Sequence, residues 1–517
     1  MGPQAHLAAR RPWPLLLLLA GYLALAVAWL AANPPGAGPD EDAHYVRAAG
    51  LSQGEVLGRK VQVQRSAGQP AAGSAFSEAV DRTYYLPAPL APPDFSSCYR
   101  FLPGRSAACA DLGQAGNAGR RLSYVGVYPP FAYLPAAALM ALAEQPVEAL
   151  FLGRLGIALL CSGLLILTAL TLWRGRRSLL ALAGFQLAIT PMVLFLATTL
   201  APSGVEVAAS ACFFAAVLRI ATGRRQPLKL EWTALALGGF FLATSRALGP
   251  GWLIADIFAV LAFVPSLGFR QRLLQPDRCG RMSLAAVGGG LILALVWGVW
   301  INQGAGVTLA AVAYGMAQAA QQLRWLAPQQ IGGFGWLDVT LPKPLTGLWL
   351  SALAGFGGLA LWLGTWRQRL ALIGLLVADL AAIVVTTGIF NLPFGVAGQG
   401  RYALPVGVLL PMACGEVVYA NRGRLSVGLR ASLPLAIAAA TMVVQVGAWL
   451  VNSHRYATGT GGAWLFMLNP QWQPALSWWP WLFLAGVGGS ALMAAAIVQN
   501  VSPARHLRLH TASDRAA

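Results

Sequence analysis

Long apolar segments recur along this chain, and no other feature limits its fold as strongly. Runs of 18 or more apolar residues follow one another from end to end, and each is long enough to cross a bilayer as a helix. Hydrophobic residues make up 57% of the 517 residues and charged residues only 10%, whereas charged residues are about 25% of a typical soluble domain. The sequence therefore predicts an all-α polytopic membrane protein.

The spacing of the apolar runs predicts about twelve transmembrane helices in a single integral membrane domain over residues 1–517. The predicted spans are 12–32, 147–172, 178–200, 203–220, 231–247, 250–268, 283–301, 345–364, 370–390, 402–420, 432–451 and 480–500.

Basic residues predict how these helices are oriented. The net charge is +18, but the basic residues alternate regularly with the apolar runs, which argues against nucleic acid as a partner. They collect in the short connections on one side: Arg10, Arg11, Arg174, Arg176, Arg177, Arg224, Arg225, Lys229, Arg270, Arg272, Arg278, Arg281, Arg367, Arg369, Arg422, Arg424, Arg430, Arg505, Arg508 and Arg515. By the positive-inside rule both termini, including the tail 501–517, are cytoplasmic. The loops 33–146, 302–344 and 452–479 are then extracytoplasmic. The alternative, in which the first run is a cleaved secretory signal, is disfavoured because the run is longer than a usual signal core.

The first predicted outer loop, 33–146, is the only sizeable part outside the membrane. Its Pro- and Gly-rich pieces predict a few short helices on the membrane surface, without an independent domain. Residues 128–143 are apolar but short and Pro-rich, which indicates an interfacial or re-entrant segment. Cys98 and Cys109 lie in this loop with ten residues between them, and an oxidising compartment favours a disulfide; two free thiols are the alternative.

A cluster of acids follows the first span. Asp40, Glu41 and Asp42, with His44 two residues on, come after the stiff sequence Asn33-Pro34-Pro35. Carboxylates at the edge of a low-dielectric region have shifted pKa values and pair with cations, which favours proton transfer or phosphate-metal chemistry. A structural alternative is that Asp40 and Glu41 cap a helix that begins around Ala43. A divalent cation at the two acids is left open, although no metal-ligand spacing is present.

Charged residues of later segments are predicted to face the same side. Arg246 ends the fifth span, Glu206 begins the fourth, and Arg401 and Tyr402 open the tenth, while Asp338 lies in the second long loop. A charge inside hydrocarbon costs about 2.5–3.5 kcal/mol on insertion scales, so these groups are expected to face protein or a wet cavity. Together they predict an outward cavity with acids from the first loop and cations from later helices, which suits a lipid-linked phosphate. The structural alternatives are snorkelling arginines, a helix-terminal Glu206 and a loop-capping Asp338.

Two further acids, Asp256 and Asp379, lie deep in the sixth and ninth spans. Hydrogen bonding to neighbouring helices is the favoured interpretation for both, and a proton path is the alternative.

Four motifs, taken in order, resemble a known family. They are Pro39-Asp40-Glu41-x-x-His44-Tyr45-x-Arg47 followed by Leu51-Ser52-x-Gly54, then Tyr128-Pro-Pro-Phe-x-Tyr-Leu-Pro135, Gly333-Phe-Gly-Trp-Leu-Asp338 and Gly400-Arg401-Tyr402. Their order over residues 33–460 resembles that of the bacterial membrane proteins grouped as domain of unknown function 2142. That family is similar in layout to the GT-C glycosyltransferases, polytopic enzymes with an acidic motif in the first outer loop. The chain departs from the family pattern at Ala201–Glu206, where an acid is expected directly after the Pro-containing turn.

The resemblance implies Asp40 as the catalytic carboxylate and Glu41 as its partner, with Arg401 on the lipid phosphate. The acidic motif and the predicted cavity add further candidate substrate-binding residues: His44, Arg47, Glu206, Arg246, Asp338 and Tyr402. These residues predict a glycosyltransferase of the bacterial inner membrane that moves a sugar from a polyprenyl-phosphate donor to an envelope glycan or lipid acceptor. No nucleotide-binding motif is present, and no cofactor is expected apart from the open question of a divalent cation. The alternatives are a transporter or flippase for a lipid-linked saccharide, in which Asp256 and Asp379 would matter, and a non-catalytic scaffold.

Overall fold

The computed structural model describes most of the chain. The described residues are 12–61, 79–92, 98–110, 112, 115–175, 178–223, 226–264, 276–301, 309–390 and 397–513, without the side chains of 390 and 499–513. Several basic residues that predict the orientation lie outside this part: Arg10, Arg11, Arg176, Arg177, Arg224, Arg225, Arg270, Arg272, Arg515 and the side chains of Arg505 and Arg508. The orientation stays a prediction.

Helices make up most of the described chain. In chain order the α-helices are α1 (Trp13–Ala32), α2 (Glu41–Ser52), α3 (Leu134–Met140), α4 (Pro146–Leu172), α5 (Leu179–Ala188), α6 (Pro191–Ala197), α7 (Pro202–Thr222), α8 (Lys229–Ser245), α9 (Gly249–Phe263), α10 (Arg278–Ile301), α11 (Leu309–Leu326), α12 (Gln329–Gly332), α13 (Lys343–Leu363), α14 (Trp366–Phe390), α15 (Leu404–Gly407), α16 (Leu409–Ala420), α17 (Val427–Thr458) and α18 (Trp479–Ser513). Short 3-10 helices lie at Ala88–Leu90, Ala107–Cys109, Phe131–Tyr133, Gly400–Ala403 and Arg422–Arg424. The strands are β1 (Arg59–Lys60), β2 (Arg82–Leu86), β3 (Gly119–Ser123), β4 (Gly333–Phe334) and β5 (Val339–Thr340).

Helices occupy all twelve predicted span positions, but they are not all full-length spans. Within the described residues, nine are long and apolar enough to cross a membrane, and a tenth results if α5 and α6 form one bent span. Helices α8 and α9 have 17 and 15 residues, fewer than the roughly 20 that a straight span needs. The protein is thus a mostly helical polytopic membrane protein, with two of the predicted spans shorter than expected.

Helix α7 is the centre of the bundle. Its apolar stretch is 94% buried, whereas the corresponding stretches of α10 and α13 are only 11% and 17% buried and lie at the periphery. Helix α8 packs closely along α7 at Gly238, where an added Cβ would lie 2.6 Å from the backbone N of Phe213. Because α7 is enclosed by protein, the position of its first turn, at Pro202, is fixed by the bundle.

The third predicted span is sharply bent. Helices α5 and α6 meet at 69°, where Pro191 begins the second helix and the Thr190 hydroxyl accepts a bond from Val193 N at 3.3 Å. The carbonyl of Ile189, freed by the break, accepts a bond of 2.6 Å from Gln445 Nε2 of α17. Side chains therefore satisfy the backbone groups that the bend exposes.

The first loop is more ordered than the sequence predicts. Besides the 12-residue helix α2, it contains an antiparallel sheet in the order β1-β2-β3, with Tyr84 opposite Arg121. The buried Tyr84 ring packs against Gly50 of α2, where an added Cβ would lie 2.2 Å from the ring. Ser123 Oγ donates 2.8 Å to Ala43 O. The loop thus contains the predicted short helices together with a sheet that the sequence did not predict, and this sheet supports α2.

Two other loop predictions have different outcomes. Residues 128–143 form a 3-10 turn and the seven-residue helix α3, too short to span, as predicted. The loop 302–344 contains the unpredicted helix α11, which packs along α14 at Gly315 and Gly388.

The predicted disulfide is confirmed. Cys98 and Cys109 are bonded, with their Cα atoms 6.1 Å apart. The bond closes a short loop whose backbone carbonyls, described below, contact α17.

Candidate active site

The three acids of the cluster point in different directions. Asp40 occupies the N-cap position of α2 with a left-handed backbone (φ 55°), and its side chain makes no capping hydrogen bond. A left-handed turn is unusual for a residue other than glycine, although Asp tolerates it better than most. The carboxylate of Asp40 is thus turned away from the helix that it precedes. This contradicts the alternative that Asp40 caps that helix.

Glu41 is fully buried and fully bonded. Its carboxylate pairs with Arg154 of α4 through contacts of 2.6 and 2.8 Å, and both side chains are 0% exposed. It also accepts bonds from the backbone N–H groups of Gly36, Gly38 and Leu200, at 3.1–3.3 Å. With five donors around its two oxygens, Glu41 holds the turn before α2 against α4 and the end of α6.

Asp42 faces outward and shares a partner with Asp40. The Tyr124 hydroxyl lies 2.9 Å from Asp42 Oδ1 and 3.2 Å from Asp40 Oδ1. Arg100 lies 3.6 Å from the other oxygen of Asp42, in a partly exposed ion pair. A phenol has a single hydrogen, so Tyr124 can donate to only one of the two carboxylates at a time.

Asp40 lines a polar pocket at one end of the bundle. The pocket encloses about 300 Å³, including some open space at its mouth, and its lining residues are Pro39, Asp40, His44, Tyr128, Pro202, Ser203, Arg246, Arg401 and Tyr402. Burial raises the pKa of Asp40; the Arg401 guanidinium opposes this shift, and the nearby Asp42 adds to it. The predicted meeting of Asp40 and Arg401 around one cavity is therefore observed.

Arg401 is a buried cation in this pocket. It lies in the 3-10 turn Gly400–Ala403, where Nη2 donates to Gln399 Oε1 and Nη1 lies 3.5 Å from Gly335 O. Among the described side chains, none forms an ion pair with Arg401 within 4.0 Å. A guanidinium without a paired acid in a buried pocket is well suited to bind an anion.

Arg246 is the second cation of the pocket. It follows the last residue of α8 and lies 3.5 Å from Glu206 Oε2 and 3.3 Å from the Tyr128 hydroxyl. Its guanidinium also packs over the Tyr402 ring at 4.9 Å. Glu206 itself does not line the pocket; it lies behind Arg246, where it can orient the guanidinium.

The first turn of α7 completes the lining. Pro202 and Ser203 stand at the helix N-terminus, where the first backbone N–H groups have no partner within the helix and the helix dipole favours negative charge. The acid expected after the Pro-containing turn is absent, and Ser203 stands there instead. Without an acid at this position, the end of α7 is more favourable to an anion.

His44 lies on α2 and faces the pocket between two tyrosines. Its Nδ1 is 2.6 Å from the Tyr133 hydroxyl, and its ring contacts that of Tyr128. Burial and the Arg246 charge lower the pKa of His44 to about 3. His44 is therefore a neutral imidazole at physiological pH, suited to hydrogen bonding with a sugar.

Arg47 and Asp338, both predicted to bind substrate, are not pocket-lining residues. Arg47 is buried behind His44. It donates a hydrogen bond of 3.0 Å to Tyr128 O, and its guanidinium lies 5.3 Å from the centre of the Tyr84 ring. Asp338 accepts a hydrogen bond of 2.7 Å from Arg455 Nη2. Both side chains support the residues of the pocket from behind.

Arg455 ties two loops together around the site. Besides Asp338 it donates to Tyr99 O at 3.0 Å and Leu102 O at 3.1 Å, in the disulfide-closed part of the first loop. Asp338 in turn accepts a hydrogen bond from the backbone N–H of Trp336. Trp336 follows Gly335, whose carbonyl lies near Arg401. The turn beside Arg401 is thereby anchored to the first loop.

Several of these residues were missed from the sequence. Arg154 is a lone cation within an apolar run, and the cost of a charge in hydrocarbon should have indicated a buried acid partner. Tyr124 and Ser203 carried no such signal. Within the described residues, no group of three or more His, Cys, Asp or Glu side chains is arranged to hold a metal ion.

Comparisons with known proteins identify a family and a solved structure that is similar. The profile of the family described as "Predicted membrane protein (DUF2142)" matches residues 23–410. The crystal structure of ArnT from Cupriavidus metallidurans in the apo state is similar, with a TM-score of 0.41, 14% sequence identity and coverage of 92% of this chain and 75% of that chain. No curated protein sequence matches the chain. The matched range includes Asp40, Arg246 and Arg401.

Proposed function

The chain belongs to the DUF2142 family of predicted membrane proteins, and we propose that its pocket is the active site of a GT-C-like glycosyltransferase. The enzyme moves a sugar from a polyprenyl-phosphate donor to a hydroxyl of an envelope glycan or lipid, on the extracytoplasmic face of the bacterial inner membrane. The observation that carries this proposal is the placement of one carboxylate, Asp40, and two guanidinium groups, Arg246 and Arg401, around one pocket.

The cationic side of the pocket suits the phosphate of the donor. Arg401 has no ion-pair partner among the described residues, and the first turn of α7 adds Ser203, with one backbone N–H and a hydroxyl. Arginine binds phosphate through a planar pair of donors, and a helix N-terminus adds a favourable dipole. A lipid-linked donor can approach from the bilayer, with its isoprenoid chain in the hydrocarbon and its phosphate in the pocket.

Asp40 suits the role of general base. A base must be ionised and must accept a proton in the transition state, and a carboxylate with a raised pKa accepts it more readily than an ordinary one. Burial raises the pKa of Asp40 in this way. Tyr124 lies near only one of its oxygens, Oδ1, which leaves Oδ2 for the acceptor hydroxyl.

The proposed reaction is a single displacement with inversion. The acceptor oxygen attacks the anomeric carbon while its proton passes to Asp40, and the bond between that carbon and the phosphate oxygen breaks. The electron pair of the broken bond stays on the phosphate, whose charge Arg401 and Arg246 stabilise. The products are the new glycoside and a polyprenyl phosphate, after which Asp40 releases its proton to water.

Three other acids support this chemistry without contacting the substrate. In the proposal, Glu41 is a positioning residue, because its five hydrogen bonds leave it no free acceptor for substrate. Glu206 orients Arg246, and Asp338 fixes the turn beside Arg401. His44 and Tyr402 contact the sugar.

The test compares two neighbouring acids. Purified protein in liposomes is supplied with polyprenyl-phosphate sugars and membrane glycans, and release of free polyprenyl phosphate is measured. General-base catalysis contributes about 10²–10⁴-fold, so Asp40→Asn should lower the rate by at least about 10²-fold. The matched control Asp42→Asn, outside the pocket, should retain most activity.

Two outcomes would contradict the proposal. If Asp40→Asn releases polyprenyl phosphate as fast as the wild type at equal protein level, Asp40 is not the base. If the wild type moves the lipid-linked sugar between leaflets without releasing polyprenyl phosphate, the protein is a flippase.

A further inference from the structure

The helical segment that carries Arg401 is interrupted directly after that residue. A 3-10 turn covers Gly400–Ala403, the short helix α15 follows, and α16 begins at Leu409. Pro405 stands in the first turn of α15 and has no N–H to donate. The orientation of the Arg401 turn therefore depends on contacts from neighbouring helices.

A buried serine and a buried acid support one side of this segment. Ser210 Oγ of α7 lies 2.7 Å from the carbonyl oxygen of Pro405. The same Oγ lies 3.3 and 3.2 Å from the two carboxyl oxygens of Asp256 in α9. Both side chains are completely buried.

The number of hydrogens available to these groups determines whether Asp256 is charged. A serine hydroxyl has one hydrogen, and the carbonyl of Pro405 can only accept, so the shorter contact uses that hydrogen. The contact between Ser210 and Asp256 then needs a hydrogen from Asp256, which only the neutral carboxylic acid has. Among the described residues no cation pairs with Asp256, and a buried carboxylate without a partner is strongly disfavoured.

The opposite side of the segment is supported by amide side chains. Gln330 Nε2 donates 2.8 Å to Asp379 Oδ1, and both side chains lie against Gly407, where an added Cβ would be 2.5 Å from Gln330 Oε1 and 3.1 Å from Asp379 Oδ1. Gln329 Oε1 accepts 2.9 Å from Gly400 N. Because these contacts fix one side, the hydrogen bond at Pro405 determines how far the turn that carries Arg401 can still move.

We propose that Asp256 is an uncharged positioning residue that donates a hydrogen bond to Ser210, which donates to Pro405 and so fixes the turn that presents Arg401. The consequence for Arg401 rests on the proposed function, whereas the uncharged state of Asp256 does not. A proton-coupled carrier would instead need Asp256 to gain and lose its proton during each cycle.

Infrared spectroscopy of the purified protein tests the charge directly. The carbonyl stretch of a protonated carboxylic acid is recorded at pH 8 for the wild type and for Asp256→Asn. The difference spectrum should show one such band lost. The control Glu416→Gln, which removes a carboxylate paired with Arg174 at 10% exposure, should leave the band unchanged. Equal intensity in the wild type and Asp256→Asn would overturn the proposal.

Binding of farnesyl phosphate, a short isoprenoid phosphate, tests the positioning role. Asp256→Asn keeps an N–H to donate to Ser210 and should bind within about twofold of the wild type. Ser210→Ala and Asp256→Leu lose the relay and should raise the Kd about five- to tenfold, the range of one lost hydrogen bond.

The outcomes separate this inference from the proposed function. If Asp256→Asn weakens binding as much as Asp256→Leu, the carboxyl has another role and the inference fails. If Ser210→Ala binds like the wild type, the relay does not position Arg401. If the wild type itself does not bind farnesyl phosphate, the proposed function fails, and the infrared result alone decides whether Asp256 is uncharged.

Discussion

Removing the arginine that pairs with Glu41 should destabilise the protein severely. Arg154→Met deletes both contacts to the Glu41 carboxylate and the bonds to the carbonyls of Asn33 (2.6 Å) and Pro34 (2.8 Å). The methionine fills much of the space, so the change acts mainly on charge and hydrogen bonding. It leaves Glu41 as a completely buried acid whose only remaining donors are backbone N–H groups.

The expected cost follows from this geometry. Removing one partner of a buried ion pair costs about 3–5 kcal/mol, because the other charge is left without compensation. The unpaired carbonyls of Asn33 and Pro34 each add about 1 kcal/mol unless water reaches them. The double variant Glu41→Gln with Arg154→Met should recover part of the loss, since no buried charge then remains.

Reversible unfolding of the purified protein in mixed detergent micelles measures this cost. The matched control is Arg120→Met, which breaks the Glu55–Arg120 pair of the first loop, where both side chains are 26–29% exposed, and two bonds from Arg120 to Thr83. The exposed pair is worth about 0–1 kcal/mol, and each of the two bonds about 1 kcal/mol. If Arg154→Met costs no more than Arg120→Met, the buried pair does not hold the turn before α2, and the reasoning is refuted.

Three further outcomes can be measured. Because burial raises the pKa of Asp40 and the ionised form is the base, transfer should be lost as pH falls through that pKa, at a higher pH than for an ordinary carboxyl; a pH–rate profile without such a limb would contradict this. Glu206→Gln should weaken farnesyl phosphate binding less than Arg246→Gln, because the acid orients the guanidinium without lining the pocket; the reverse order of dissociation constants would place Glu206 at the ligand. Reduction of the disulfide between Cys98 and Cys109, or its replacement by two serines, should lower the free energy of unfolding by about 2–3 kcal/mol, as closure of a short loop predicts; an unchanged melting temperature would show that the loop is held by other contacts.

The sequence predicts the bundle better than the loops. The length of an apolar run is a local property, so all twelve helical positions could be located. Helices α8 and α9 have only 17 and 15 residues, and the apolar composition of a run does not reveal where its helix ends. The sheet was missed because β1 has only two residues and β2 and β3 gain their stability by packing against α2.

The site was predicted in outline for a similar reason. Asp40, Arg246 and Arg401 follow or precede spans whose ends fall on one side, so their meeting required only the order of the helices. The different surroundings of Asp40 and Glu41 could not be predicted, because they depend on Arg154, which lies 113 residues from Glu41. The partner of a buried acid is a property of the folded bundle.

The left-handed backbone at Asp40 restricts which amino acids can occupy that position. Most side chains would lose about 1–2 kcal/mol in this conformation, while Gly, Asn and Asp adopt it readily. An alanine there would combine backbone strain with the loss of the carboxylate, so an effect of the substitution could not be attributed to either one. Asparagine preserves the turn and removes only the charge, so natural or engineered replacements at residue 40 can be compared meaningfully only within this small set of residues.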